Sequence, residues 1–276
     1  MNATSRMPVL FVGHGSPMAA FEDNRFTQAW TQLGEALPTP RAIVCVSAHW
    51  YTRGTGVTAM AQPKTIHDFY GFPEALYQYH YRAPGDPTLA QQIMELLQPT
   101  EVIADVNWGY DHGSWTVLKH LYPHAQIPVL QLSIDGTQSN EWHYQLGQRL
   151  KPLRDQGVLI MGSGNVVHNL RYLQRSENAL AHPLAQQFND YVRTALRQGD
   201  DAALIDYAAQ GAAASFAVPT PDHYLPLLYV LGAREPSESM QLVLDEVALA
   251  SVSMLSVSFG MDISSLTQLR RAGLEQ

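Results

Sequence analysis

Val9-Leu-Phe-Val-Gly-His-Gly-Ser-Pro17 and Ala42-Ile-Val-Cys-Val-Ser-Ala-His-Trp50 share one construction, a short apolar, β-branched run that gives way to small residues and a histidine. Runs of that length and composition, bounded by turn residues, read as buried β-strands. Others of the same kind fall at 102–106, 127–134 and 158–161, with a late pair near 241–244 and 254–259 that reads as a hairpin at the sheet edge. Helix-period segments lie between them at 24–36, 86–97, 114–121, 139–153, 183–197 and roughly 222–231. The second of these carries Asp86 as N-cap and Pro87 at its first helical position. Strand alternating with helix predicts an α/β fold. Strands that are apolar throughout, instead of alternating, predict a mainly parallel, mixed sheet with helices on both faces. No repeat, low-complexity tract or Pro/Gly/Ser linker divides the chain, so residues 1–276 are expected to form a single domain.

Composition narrows the function. The 276 residues are 46% hydrophobic and 15% charged, enough apolar material for a large core. A net charge of -8, from 25 acidic against 17 basic residues and without a Lys/Arg run, argues against a nucleic-acid partner. No apolar stretch approaches the ~18 residues of a membrane span. Cys45 is the only cysteine and sits within an apolar run, so a buried thiol in a reducing cytoplasm is the expectation. Against this background eleven histidines are conspicuous, because imidazole both ligates metals and moves protons near neutral pH.

Their positions matter more than their number. His14 and His49, 35 residues apart, each follow a predicted strand at its carboxyl end, where ligands collect in an open α/β sheet. His168 stands a little beyond the fifth run in Gly162-Ser-Gly-Asn-Val-Val-His168, His223 opens a helical segment, and His112 lies in Gly109-Tyr-Asp-His-Gly-Ser-Trp115. Each alone reads equally as a hydrogen-bonded loop residue. Three or more imidazoles in one crevice bind a transition metal. His120, His124 and His143 lie in or beside helices without companions at ligand spacing and read as packed or solvated; His182, before Pro183, reads as a helix entry. The segment 66–84 gathers Phe69, Tyr70, Phe72, Tyr77, Tyr79 and Tyr81 with His67 and His80, and reads as a pocket wall or a structural cover.

Other chemistries find little support. Neither Ser16 nor Ser163 has the flanking glycines of a nucleophile elbow. A dinucleotide fingerprint beginning at Gly162 fails at its third glycine, which is Val167. The 162–165 turn reads as an ordinary tight turn, with backbone N–H groups open to an anion as the alternative.

Together Gly13-His-Gly-Ser-Pro17, Val46-Ser-Ala-His-Trp50, His67-Asp-Phe-Tyr-Gly-Phe-Pro73, Tyr110-Asp-His-Gly-Ser-Trp115, Pro128-Val-Leu-Gln-Leu-Ser-Ile-Asp135, Gly162-Ser-Gly-Asn-Val-Val-His-Asn169 and Asp222-His-Tyr224 resemble the class III extradiol dioxygenases, in their 4,5-DOPA extradiol dioxygenase branch. The seven motifs run in order along nearly the whole chain. The resemblance implies one divalent metal ion held by His14, His49 and His223, with His168 as acid/base residue or fourth ligand and His112 hydrogen-bonding the substrate. It also places Ser16, Phe69, Tyr70, Asn165 and Tyr224 around that substrate. Better-known members of the wider family complete their triad with a carboxylate; the matching position here is His223, and Asp222 is expected to point elsewhere. An all-histidine site suits Zn(II) at least as well as Fe(II).

The implied reaction is extradiol cleavage of a catechol such as L-DOPA by O2 to a ring-opened semialdehyde. Two alternatives use the same residues: a zinc-dependent hydrolase, and a non-catalytic binding protein of the same fold.

Overall fold

The apolar runs become the strands of an eight-stranded sheet in a computed structural model that describes residues 6–176 and 179–261. We number its strands β1 (Val9–Gly13), β2 (Ala42–Thr52), β3 (Thr55–Thr58), β4 (Val102–Asp105), β5 (Val129–Asp135), β6 (Val158–Gly164), β7 (Met240–Leu244) and β8 (Ser256–Phe259). Their order across the sheet is β4-β3-β5-β2-β6-β1-β8-β7. The centre, β5-β2-β6-β1, is parallel, and β8 and β7 close one edge antiparallel. On the other edge β3 runs antiparallel to β5 and parallel to β4. The sheet is therefore mainly parallel and mixed, as its apolar strands predict.

Two details depart from the sequence expectation. β3, Thr55-Gly-Val-Thr58, is too polar to register as an apolar run, yet all four residues are buried because the strand lies between β4 and β5. β2 continues to Thr52 past an irregularity in its pairing between Val46 and Tyr51, so His49 lies inside the strand and not after it.

The longer helices are α1 (Arg25–Ala36), α2 (Pro87–Leu96), α3 (His112–Leu121), α4 (Asn140–Arg154), α5 (Pro183–Gln198) and α6 (Leu225–Ala233). Asn24, Asp86, Asp111, Ser139 and His182 cap the first five through side-chain acceptors, each satisfying a backbone N–H that has no partner within its helix. Because side chains alternate across a strand, each strand feeds two cores. Val9, Phe11, Val44, Leu130 and Ile160 pack with α2, α4, α5 and α6 on one face. Leu10, Val12, Ile43, Cys45, Val129, Leu159 and Met161 pack with Trp30 and Leu33 of α1 and Trp115 and Leu118 of α3 on the other. α6 is buried all round, a central helix without a solvent face. No helix among the described residues is long and apolar enough to cross a membrane.

Of the isolated histidines, His124 is exposed and the others are packed. His120 donates through Nε2 to the Ala19 carbonyl at 2.8 Å, and His182 Nδ1 accepts the Leu184 N–H. His143 is fully buried, with Nδ1 2.9 Å from the Tyr229 hydroxyl, and burial pushes its pKa down to about 4. An unfolded histidine titrates near 6.5, so the unfolded chain takes up this proton first. Stability that rests on the neutral ring is complete above pH 6.5 and is lost as pH falls through about 4, by about 3 kcal/mol in all. His143→Gln should therefore flatten the stability profile between pH 6.5 and 4. Urea midpoints across that range measure it, and a parallel loss in both proteins would assign the acid sensitivity to other groups.

Candidate metal centre

On the α3 face of the sheet each central strand turns from apolar to polar toward its carboxyl end. Ile43 and Cys45 lead to Ser47, Val129 to Gln131, and Leu159 and Met161 to Ser163, while Val12 leads to His14. These polar ends meet the start of α3. Asp111, its N-cap, is buried and accepts from Ser47 Oγ at 2.7 Å, Gln131 Nε2 at 2.7 Å and Ser114 N–H at 3.0 Å. Burial, with the charge of Asp68, pushes Asp111 up to about 6 against the pull of these hydrogen bonds. The clamp fixes His112 as the first residue of the helix, two residues before the predicted start, and sets Gly113 directly over the strand ends. A Cβ on Gly113 would lie 2.7 Å from His49 Cδ2 and 2.9 Å from Ser47 Oγ, so only glycine allows this approach.

His14, His49 and His112 bring one donor nitrogen each to within 4.8 Å of one another. The His223 ring lies 5.3 Å from His14 and 5.1 Å from His49 between centroids, and His168 stacks on it at 3.5 Å and 8°. His223 arrives on a 3-10 turn, Pro221–His223, seamed to β6: the Asn165 N–H donates to the His223 carbonyl at 2.8 Å, and a Cβ on Gly164 would lie 2.2 Å from that oxygen. The tight turn expected at 162–165 is not there: Gly162, Ser163 and Gly164 are the end of β6, paired with its neighbours, and the Asn165 N–H is already bonded.

Hydrogen bonds at His14, His112 and His223, and the nearby charge of Asp68 at His49, set which nitrogen of each ring carries the proton. Ser163 Oγ donates to the Gly113 carbonyl, so its oxygen accepts from His14 Nδ1 at 3.0 Å. Asp68 Oδ2 lies 3.3 Å from His49 Nδ1 and 2.9 Å from His112 Nδ1. Asp222 accepts from His223 Nδ1, so it does point away from the centre, onto the outer nitrogen of its neighbour. With Nδ1 protonated, Nε2 of each ring carries a lone pair. Burial, then the neighbouring imidazoles, push His14 and His223 well below the usual histidine range, and burial and His112 bring His49 down to about 3 despite Asp68. The rings are neutral at pH 7. His14 Nε2 and His49 Nε2 nonetheless face each other at 3.1 Å, and His223 Nε2 is buried without a partner. A shared cation resolves that opposition. Two nitrogens on one tetrahedral ion with bonds of ~2.0–2.1 Å stand ~3.3 Å apart. Outer nitrogens held by carboxylate or hydroxyl are the usual support of metal-binding histidines.

The family model described as the catalytic LigB subunit of aromatic ring-opening dioxygenase matches residues 8–260. The chain belongs to the LigB family. Its relatives include 4,5-DOPA dioxygenase extradiol of Escherichia coli K12, 51% identical over 94% of this chain and 96% of the relative, and the Beta vulgaris protein of the same name, 38% identical over 84% and 89%. A crystal structure of an uncharacterized Escherichia coli K12 protein superposes with a TM-score of 0.81 at 46% identity, covering 92% of this chain and all of the other. This LigB protein is accordingly an extradiol ring-opening dioxygenase with a histidine cluster able to hold a metal ion.

The residues expected around a substrate separate in space. Phe69 lies edge-on to His112 at 5.8 Å, within the cluster. Tyr70 is 92% exposed, and Ser16, also exposed, accepts the Met18 N–H. Two others are buried. Tyr224 is fully buried, donates to the Leu204 carbonyl and packs against Tyr207, so it belongs to the core beneath the site. Asn165 is 1% exposed and its Nδ2 donates to the His14 and Ser253 carbonyls, which makes it a clamp on the His14 loop. Asp68 and Asp111 were not singled out by the sequence, and Ser163 entered there only as a possible nucleophile. The signal for the two aspartates was their place beside a histidine.

Proposed function

We propose that this LigB-family enzyme cleaves the ring of a catechol, L-DOPA being the first candidate from its named relatives, with O2 at a divalent metal ion held by His14, His49 and His223. The observation that carries this reading is the set of three neutral imidazoles, His14 and His223 buried and His49 partly so, whose Nδ1 atoms face Ser163, Asp222 and Asp68 while their Nε2 lone pairs have no protein donor. Fe(II) in that position supplies a common template for catechol and O2 and makes a catechol hydroxyl more acidic.

The chain's own residues do the rest. His112, held through Nδ1 and its backbone N–H by Asp68, offers its Nε2 lone pair to a substrate hydroxyl. His168 has no hydrogen bond to its ring nitrogens among the described residues, and burial, partly opposed by Asp222, brings it down to about 4. A neutral imidazole at pH 7 is ready to take the second catechol proton and to return it as the ring opens. Phe69 stands where an aromatic ring lying against His112 would meet it, and it packs against Trp115 behind.

Removing metal anaerobically and restoring Fe(II) or Zn(II) tests the reading. O2 uptake and a yellow ring-opened product with Fe(II) alone, across L-DOPA and a small catechol panel, are the expected outcome. A filled site without uptake on any catechol would favour the zinc hydrolase or the binding protein. His112→Phe should keep stoichiometric metal while raising KM about five- to tenfold, the worth of one neutral hydrogen bond accepted from a substrate hydroxyl. Loss of metal in that variant would make His112 the third ligand in place of His223.

A further inference from the structure

Resting on the metal reading above, we propose that Asp68 is a positioning residue that joins the aromatic segment 66–84 to the metal centre, so that filling the centre and seating the segment form one equilibrium. The carboxylate comes from neither the sheet nor a helix, but from the loop that begins this segment. Oδ2 stands 2.9 Å from His112 Nδ1 and 3.3 Å from His49 Nδ1, and Oδ1 accepts the His112 backbone N–H at 2.9 Å. One side chain, 18% exposed, thus holds the outer nitrogens of a candidate ligand and of the substrate-facing histidine. An ionised carboxylate only accepts, so it holds His112 with Nδ1 protonated and Nε2 open, and its charge favours the same tautomer in His49.

The neighbours of Asp68 tie the same loop to α3. The Ile66 carbonyl accepts the Trp115 indole N–H at 3.1 Å, the Ile66 N–H donates to the Tyr110 carbonyl at 2.7 Å, and Phe69 abuts His112 and Trp115. Beyond them the chain reaches solvent at Tyr70 and turns at Gly71, whose φ of +77° suits glycine. Asp68 is therefore the point at which a surface aromatic segment touches the ligand set. If its carboxylate raises metal affinity by some factor, bound metal must favour the seated segment by the same factor.

The test uses Co(II) and Zn(II) titrations with hydrogen exchange of 66–82, neither of which needs turnover. In the wild-type protein the ion should slow exchange across 66–82. Asp68→Asn, which places an amide N–H where an acceptor is needed, should bind the ion about 10- to 100-fold more weakly and lose most of that slowing. Asp68→Glu should recover part of both, while metal-free melting temperatures and far-UV spectra of all three proteins should agree. Unchanged affinity and unchanged protection in Asp68→Asn would overturn the inference and leave the metal reading standing. Metal binding that survives intact in His49→Ala would overturn the metal reading, and the role of Asp68 with it.

Discussion

In His14→Ala, stoichiometric binding of a divalent ion is lost and O2 uptake on any catechol falls by on the order of a thousandfold or more, since a metal ion supplies several kcal/mol of charge stabilisation in such reactions. His14 is the most telling position because it is 3% exposed, its carbonyl is clamped by Asn165 and its ring is aimed by Ser163. The substitution removes one face of the 3.1 Å Nε2 opposition and leaves Asp68, His112 and His168 in place. His223→Ala should give the same result. Metal content by atomic absorption and oxygen-electrode rates, taken on the same samples, decide it: a His14→Ala protein that retains one ion per chain would remove the proposed ligand set.

His168→Ala should separate binding from chemistry. Its ring stacks on His223 at 3.5 Å but bonds to no described acceptor, so the ion stays, while kcat drops by about a hundredfold to ten thousandfold, the usual worth of a positioned acid/base group. The limb of the kcat/KM profile that reports the base should vanish as well. Loss of the ion from this variant would instead make His168 a ligand. An unchanged rate would leave the second catechol proton to solvent.

Much of this site could be read before the fold was known, because parallel strands deliver their carboxyl ends together. The runs ending at His14 and near His49 announce themselves by composition, and Ser47, Gln131 and Ser163 continue the same alternation. What the runs do not contain is their order in space. That Ser47 and Gln131 both reach Asp111 follows only once β2 and β5 are neighbours and α3 lies over them. The aspartates show the limit more sharply. Asp68, Asp111 and Asp222 each adjoin a histidine in sequence, yet Asp222 serves its own neighbour, Asp111 caps a helix, and Asp68 passes over His67 to serve His49 and His112. β3 escaped notice for a related reason, its burial coming from its two sheet neighbours and not from its own polar composition.

The proposed ligands come from β1, β2 and the turn before α6, and β6 lies between β1 and β2 in the sheet. A chain still emerging from the ribosome has made His14 and His49 long before it has made the strand that spaces them or the turn that completes the set. An ion held by this set would therefore meet finished molecules. It adds to the native state by mass action and gives little to a half-made one. Scarcity of metal during growth would then lower the loaded fraction without misdirecting synthesis, and an idle pool of correctly folded protein could be switched on later by supplying the ion alone.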